Sequence, residues 1–386
     1  MTQKTYDVII IGAGIIGLAC AYELSQAGAT VCIVEKHLPG AGQSTKTGGG
    51  IRLAHNSKIN VALTQMSLPV WNSFESLFGI DPRYREIGHL FMSSEQKVKQ
   101  TFENQLKWHS DFNCPSIILD ATRVKQKWSH INGKHFASNL FCSEGGYLDD
   151  HSVIQGYQNG AQRNGVKLYS GVRVDGLLRE GCTIEGVRTS IGNFTSKTVI
   201  NAGGADAGVI SSYASVSIPF CSRRHELLIL NPRIPVPEDT PWLIDFDNQV
   251  HLRPDGQGRV LVGGFLGRND ICDPSFYARE YSKVWADKVR ATVSRSFGLT
   301  KPNSKIIAGW AGLYPGTPDY LPVIELTAPG FITAAGFSGT GLMHAPAVGA
   351  IVNDLVATSK TERFNIFPLR SSRFRSSSEI LETSGF

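Results

Sequence analysis

Six residues near the N-terminus, Gly12-Ala13-Gly14-Ile15-Ile16-Gly17, carry the spacing G-x-G-x-x-G. The first glycine of such a run makes a tight turn. The second lets backbone approach a pyrophosphate, and the third lets a helix pack closely on a strand. A helix that opens here offers free N–H groups and the positive end of its dipole to phosphates. Glu35 follows 18 residues after Gly17. Its carboxylate can accept hydrogen bonds from an adenosine ribose and would repel a 2′-phosphate, which disfavours NADP. The loop Gln43-Ser44-Thr45-Lys46-Thr47-Gly48-Gly49-Gly50 comes next, and its hydroxyls and bare backbone suit a long cofactor lying extended against it. Far along the chain, Gly336-Phe337-Ser338-Gly339-Thr340-Gly341 opens another helix. Its N-terminus could stabilise negative charge on a reduced ring. A nicotinamide enzyme has no need of that second turn, so the pair of glycine turns favours FAD over NAD.

The elements that must position these groups follow from periodicity. Tyr6–Ile11 is a continuous apolar, β-branched run, the pattern of a strand buried on both faces. Helical pattern from Leu18 to Ala27, near Gly28, and a second apolar run at Thr30–Val34 complete a strand–turn–helix–strand unit. Helices are expected at Asn60–Phe78, Asp149–Asn164, Tyr277–Phe297 and Leu342–Val356, and strands at Val166–Val174, Thr198–Asn201 and Phe331–Ala335. Between Pro219 and Arg259 strand-like runs alternate with proline turns.

Composition bounds the class. The 386 residues suit two domains, and 41% hydrophobic with 18% charged residues is ordinary for a globular protein. A net charge of +5 without a Lys/Arg block argues against nucleic acid as partner. The most basic stretch, Arg363 to Arg375, reads as a solvated tail, poorly ordered from Ser371. Seven cysteines, none at CxxC spacing, argue against a disulfide framework and a zinc site, and no metal is expected. The first apolar run leads directly into the glycine motif, so no signal peptide is expected, and no segment has the length of a membrane span. A cytoplasmic location is the expectation.

The chain resembles the D-amino-acid oxidase superfamily of flavoproteins. The likeness is strongest to the group of sarcosine oxidase β-subunits, glycine oxidases and proline dehydrogenase β-subunits. Tyr6–Gly17 with Glu35, Ser44–Arg52, Gly145–Asp149, Asn201–Gly204, Trp310–Pro322 and Ala335–Ala347 carry it, in the family's order. The resemblance implies an α/β fold with a discontinuous, Rossmann-like FAD-binding domain (residues 1–83, 145–212 and 308–360). An α+β substrate domain with a mixed sheet (84–144 and 213–307) and a tail (361–386) complete it. It implies non-covalent FAD held by Gly12, Gly14, Ile15, Ile16, Gly17, Glu35, Lys36, Ser44, Thr45, Gly49, Gly50, Ile51, Val174, Ala202, Gly203, Gly339, Thr340, Gly341, Leu342 and Met343.

The resemblance also implies catalytic roles for Arg52, Tyr314 and His251. Arg52 falls where sarcosine-oxidising relatives hold the substrate carboxylate, a task that suits a guanidinium fork. Tyr314 replaces the arginine of glycine oxidase-like members, and Met343 stands where some relatives have a lysine. His251 occupies a strand position where relatives often place a substrate-facing tyrosine, so it could donate a hydrogen bond, act as a base, or be structural. His225, within Arg223-Arg224-His225-Glu226, is a weaker candidate for pocket contact, and His344 reads as packing. Gly312 replaces the cysteine that tethers flavin in monomeric sarcosine oxidases. Leu261 falls near the lysine that activates oxygen in some members, which leans towards a dehydrogenase. The implied reaction is FAD-dependent oxidation of the C–N bond of a secondary or N-substituted amino acid, with oxygen or another electron acceptor. The alternatives are a D-amino-acid or glycine-type deaminating oxidase, and a flavin-carrying subunit of a hetero-oligomeric dehydrogenase.

Overall fold

The structure is a computed structural model that describes residues 4–266 and 271–375. Lys4–Ile11 forms the centre of an eight-stranded sheet whose main path runs Val323–Ala328, Phe331–Ala335, Gly192–Asn201, Lys4–Ile11, Val31–Glu35, Lys167–Ser170. The neighbours of the first strand are both parallel to it. Val8 to Ile11 are buried, as their unbroken apolar run requires. One face of this sheet is covered by the helices Ile15–Gln26 and Gly341–Thr358. The two helices cross closely because Gly349 has no side chain: a Cβ there would lie 2.8 Å from the Ala19 carbonyl oxygen.

A second sheet of nine strands is mixed. Its path is Ile271–Cys272, Cys221–Asn231, Val260–Gly264, Val250–Pro254, Trp242–Asp245, His89–Ser93, Ser138–Cys142, Ser116–Leu119. Trp242–Asp245 and His89–Ser93 are parallel, whereas the other paired neighbours along this path are antiparallel. The long strand Lys305–Gly316 pairs with Cys221–Asn231 along its length. It therefore hydrogen-bonds into this second sheet, although the resemblance groups residues from 308 with the cofactor domain. Gly50–Arg52 pairs with Gly145–Tyr147 in a small ribbon of its own. The α/β class and the mixed second sheet are as expected.

Element boundaries differ in instructive places. The first helix begins at Ile15, inside the glycine motif, not at Leu18. The helical stretch expected from 60 to 78 is two helices, Lys58–Asn72 and Phe74–Phe78, the first capped by the Ser57 side chain. Asp149 caps Asp150–Arg163 through the Ser152 N–H. The helix expected from Tyr277 starts only at Lys283, where the Ser282 hydroxyl caps it. Before that cap the Arg224 guanidinium binds the carbonyls of Ala278 and Glu280 and holds the chain out of the helix. Near the C-terminus, the reading of a solvated, poorly ordered tail is corrected at Ser371 and Arg373, while Arg363, Arg370 and Arg375 are exposed as that reading expects. Arg373 is buried, donating to both Asp319 oxygens at 2.6 and 3.1 Å and to the Leu321 carbonyl. Ser371 binds Glu325 through its N–H and hydroxyl. Residues 376–386 of the expected tail lie outside the described residues.

Candidate functional site

The glycine motif is built as its spacing demands. Gly12 has φ +106°, and a Cβ there would sit 2.5 Å from the Ala202 carbonyl oxygen, so only glycine fits. A Cβ on Gly17 would lie 1.9 Å from the Gly12 carbonyl oxygen, so the third glycine sets the helix against the turn. Glu35 closes the second strand, as expected, and is already engaged by protein. One carboxylate oxygen accepts the Ala13 N–H at 2.8 Å and the other the His37 N–H at 2.7 Å. A carboxylate has about four acceptor positions, so two such bonds leave capacity for a ribose. Ser44 accepts the Ile15 N–H at 3.0 Å, while Thr45 donates to the Gly40 carbonyl. Ala202 and Gly203 follow the strand Gly192–Asn201, beside Gly12. Val174 opens its own strand and packs against the core beneath. The Lys36 ammonium pairs with Asp206 at 2.6 Å, its near neighbour in this structure.

A continuous pocket runs from this cradle to the second sheet. It is lined by Ile15, Ile16 and Ser44 at one end and by His89, Trp242, His251 and Phe265 from the other sheet. Gly339, Thr340, Gly341, Leu342 and Met343 contribute the start of the last long helix. No side chain caps that helix: the Thr340 hydroxyl donates to the Phe337 carbonyl instead. Its dipole therefore faces the pocket. Gly50 lines the pocket, Ile51 is buried behind it, and Thr45 and Gly49 line a neighbouring polar cleft. The geometry suits FAD: the pocket runs from Ile15, Ile16 and Ser44, beside the glycine turn, along a loop of small residues to a second helix N-terminus, and Glu35 binds the glycine turn from behind through the Ala13 N–H.

Arg52, Tyr314 and His251, far apart in sequence, all line this pocket. Arg52 is 5% exposed, and one of its Nη groups donates to His55 Nδ1 at 3.1 Å. A guanidinium only donates, so His55 carries its proton on Nε2 and donates from there to the Thr64 hydroxyl oxygen at 3.2 Å. Thr64 in turn donates to His344 Nε2 at 3.1 Å. Burial, with the Arg52 charge second, holds His89 and His344 neutral, each pulled down to about 3. His55 is pushed well down by burial, then by Arg52 and His344. The site thus surrounds one buried cation with neutral imidazoles, a setting that favours an anion. His344 packs as expected, and it also ends this chain.

His251 is pulled down to about 3 by burial and then by Arg253. Its Nδ1 accepts the Trp242 indole N–H at 3.3 Å, which leaves the proton on Nε2. His251 is therefore a neutral donor near pH 7. Tyr314 is half-buried, and desolvation raises its hydroxyl. Its ring packs on the second glycine turn, where a Cβ on Gly339 would lie 2.7 Å away. His225 joins Tyr314 and Phe265 in an aromatic cluster, with centroids at 4.2 Å and 4.3 Å from the His225 ring.

Several lining residues escaped sequence reading. Trp242 lies flat on the glycine loop, 2.9 Å from where a Gly48 Cβ would be. Arg253 donates to the Gly48 carbonyl at 2.9 Å and stacks over Tyr147 at 4.0 Å. Lys46 extends to the Tyr277 hydroxyl at 3.1 Å. Glu226 is buried and paired with Arg224 at 3.0 Å. The run of three glycines signals a flat partner, but nothing local says that Trp242 supplies it. Leu261 is buried on its strand and faces the polar cleft beside the pocket. Among the described residues no group of three or more His, Cys, Asp or Glu side chains could hold a metal, and no helix is long and apolar enough to cross a membrane.

Comparison with known proteins agrees with this architecture. The chain is 25% identical over 421 residues to hydrogen cyanide synthase subunit HcnC of Pseudomonas aeruginosa, covering 97% of each chain. It is 23% identical to the glycine oxidase of Bacillus subtilis, covering 94% of this chain and 95% of that one. Among solved structures, L-proline dehydrogenase from P. horikoshii superposes with a TM-score of 0.87 at 26% identity, over 97% of this chain and 99% of that one. The sequence profile of the DAO family, described as FAD dependent oxidoreductase, matches residues 7–355. With its N-terminal glycine turn and a second helix N-terminus at one pocket, the chain belongs to the DAO family of FAD-dependent oxidoreductases.

Proposed function

We propose that this enzyme oxidises the C–N bond of a secondary or N-substituted amino acid of sarcosine, proline or opine type, giving an imine that hydrolyses in water. FAD held in the pocket would supply the two-electron acceptor for this oxidation, and the protein supplies binding and orientation. The observation that carries this reading is the pairing of buried Arg52 with the aromatic cluster of Tyr314, His225 and Phe265 in one pocket. Arg52 offers a carboxylate anchor, and the aromatic faces suit an N-alkyl or ring substituent on an ammonium. A glycine-type substrate has no such substituent to bury. The solved relative named L-proline dehydrogenase supports a secondary amine.

The test is anaerobic bleaching of the flavin by a panel of N-alkyl amino acids, proline-like imino acids, D-amino acids and the matching amines without a carboxylate. Bleaching by the first two groups is expected. Bleaching confined to primary D-amino acids or glycine would favour the deaminating oxidase instead. FAD is held without a covalent link, since Gly312 lines the pocket where a tethering cysteine would stand. Acid denaturation should then release all the yellow colour into the supernatant; colour retained in the precipitate contradicts this.

A second reading is supported by the similarity to HcnC, a subunit of a synthase. In it, this chain carries flavin within a hetero-oligomer and passes electrons to a partner. Leu261, at the position near the oxygen-activating lysine of some relatives, supports an acceptor other than oxygen. Stopped-flow reoxidation should be slow in air and faster with a dye or quinone, and reoxidation in air at the rate of turnover would refute it.

A further inference from the structure

Two of the seven cysteines meet in the folded chain. Cys114 precedes the edge strand Ser116–Leu119, and Cys142 ends the neighbouring strand Ser138–Cys142, directly opposite Ser116 in register. Their sulfurs are 3.8 Å apart, across 28 residues of sequence. Both thiols are buried, but Cys114 also lines a surface cleft formed with Leu106, His109, Pro115, Ile117 and Phe141. A small oxidant can therefore reach Cys114 from outside without entering the flavin pocket.

The pair has a proton acceptor built beside it. The Ser116 hydroxyl lies 3.3 Å from Cys114 Sγ and 3.0 Å from His109 Nδ1. His109 Nε2 lies 3.2 Å from the His55 carbonyl, which can only accept, so Nε2 carries the proton and Nδ1 is the acceptor. The Ser116 hydroxyl donates to His109, and its oxygen is left to accept from the thiol. Burial lowers His109, so it stands in its neutral, proton-accepting form. Pairing with Cys142 and burial raise the Cys114 thiol, and the contact with Ser116 works against that rise, so Cys114, the sulfur that lines the cleft, attacks only as its proton passes to Ser116; the pairing lowers Cys142.

We infer that Cys114 and Cys142 form a dithiol that hydrogen peroxide oxidises reversibly to a disulfide. Cys114 sulfur attacks one peroxide oxygen. The S–O bond forms as the O–O bond breaks, and the thiol proton leaves through Ser116 with the departing water. Cys142 sulfur then displaces the hydroxyl of the resulting sulfenic acid as a second water. Two thiols are oxidised, one peroxide is reduced, and two water molecules result. The sulfurs close from 3.8 Å to a bond of about 2.05 Å.

The test uses the wild-type holoprotein, reduced, desalted and titrated with hydrogen peroxide. Remaining thiols are then alkylated under denaturing conditions and mapped as peptides without reduction. The expected result is loss of two alkylatable thiols per chain, a peptide linking Cys114 to Cys142, and full recovery with dithiothreitol. Exposed Cys182 gives the background rate of thiol loss. In Cys114→Ser the linked peptide is absent while flavin content is retained. The inference is overturned by peroxide-treated protein that keeps both thiols. It is equally overturned by sulfinic acid at either residue without a linked peptide, or by a link to a different cysteine.

Discussion

Replacing Arg52 tests the carboxylate-anchor reading most directly. Arg52→Ala removes the guanidinium from a site where it is 5% exposed and where His55, His89 and His344 are held neutral, partly by its charge. Losing one partner of a charge pair screened from water costs roughly 2–5 kcal/mol. At about 1.4 kcal/mol per tenfold, kcat/KM for the best carboxylated substrate falls by roughly 1.5 to 3.5 decades. Part of any change is structural, because His55 Nδ1 loses its donor at 3.1 Å. A buried acceptor left without a partner costs about 1–3 kcal/mol of stability. Arg52→Lys separates the two effects: it keeps a donor and a charge but loses the fork. The assay is anaerobic flavin reduction, with flavin content and thermal melting measured on the same preparations. The amine analogue lacking a carboxylate is the internal control, and its rate should change little. Retention of near-wild-type kcat/KM in Arg52→Ala, with normal flavin content, refutes the anchor. So does a parallel loss for the amine.

Glu35→Arg should leave most of the purified protein colourless, because Ala13 and His37 lose their N–H acceptors and a cation replaces the ribose acid; an unchanged flavin content would place Glu35 outside the ribose site. Stability should fall in acid. His89, His251 and His344 titrate near 3 when folded, below their ordinary value, so between about pH 6.5 and 3 the unfolded chain binds more protons. The stability is present above pH 6.5 and is lost as pH falls, by about 2 kcal/mol per histidine at pH 5; a melting temperature that is flat from pH 7 to 5 argues against neutral buried imidazoles. Arg373→Ala should destabilise by about 1.5–3 kcal/mol, since half-buried Asp319 loses its charged donor and keeps only the bonds from Thr317 and Leu321. Chemical denaturation reads this, and a change within half a kilocalorie would return the segment to the status of a solvated tail.

What the sequence by itself determined lies within short stretches of chain. The strand into Gly12, the turn to Gly17 and the acid at Glu35 were legible because each depends on neighbours a few residues away. A strand buried on both faces is an unbroken apolar run, and a φ of +106° admits glycine with little alternative. The same locality made the second glycine turn and its helix readable. Arg52, Tyr314 and His251 were named from resemblance, but nothing in their sequence environment shows that they share a pocket.

The tertiary structure alone decided the rest. It laid Trp242 on the glycine loop, fixed the chain from Arg52 through His55 and Thr64 to His344, and closed Cys114 on Cys142. It also turned Arg373 inward, against a composition that reads as solvated. Each of these contacts joins residues brought together by strand order and helix docking. Periodicity records which face of an element is buried, but not which distant element covers it. That choice is made by packing across the whole chain, where the buried polar groups must find partners at once.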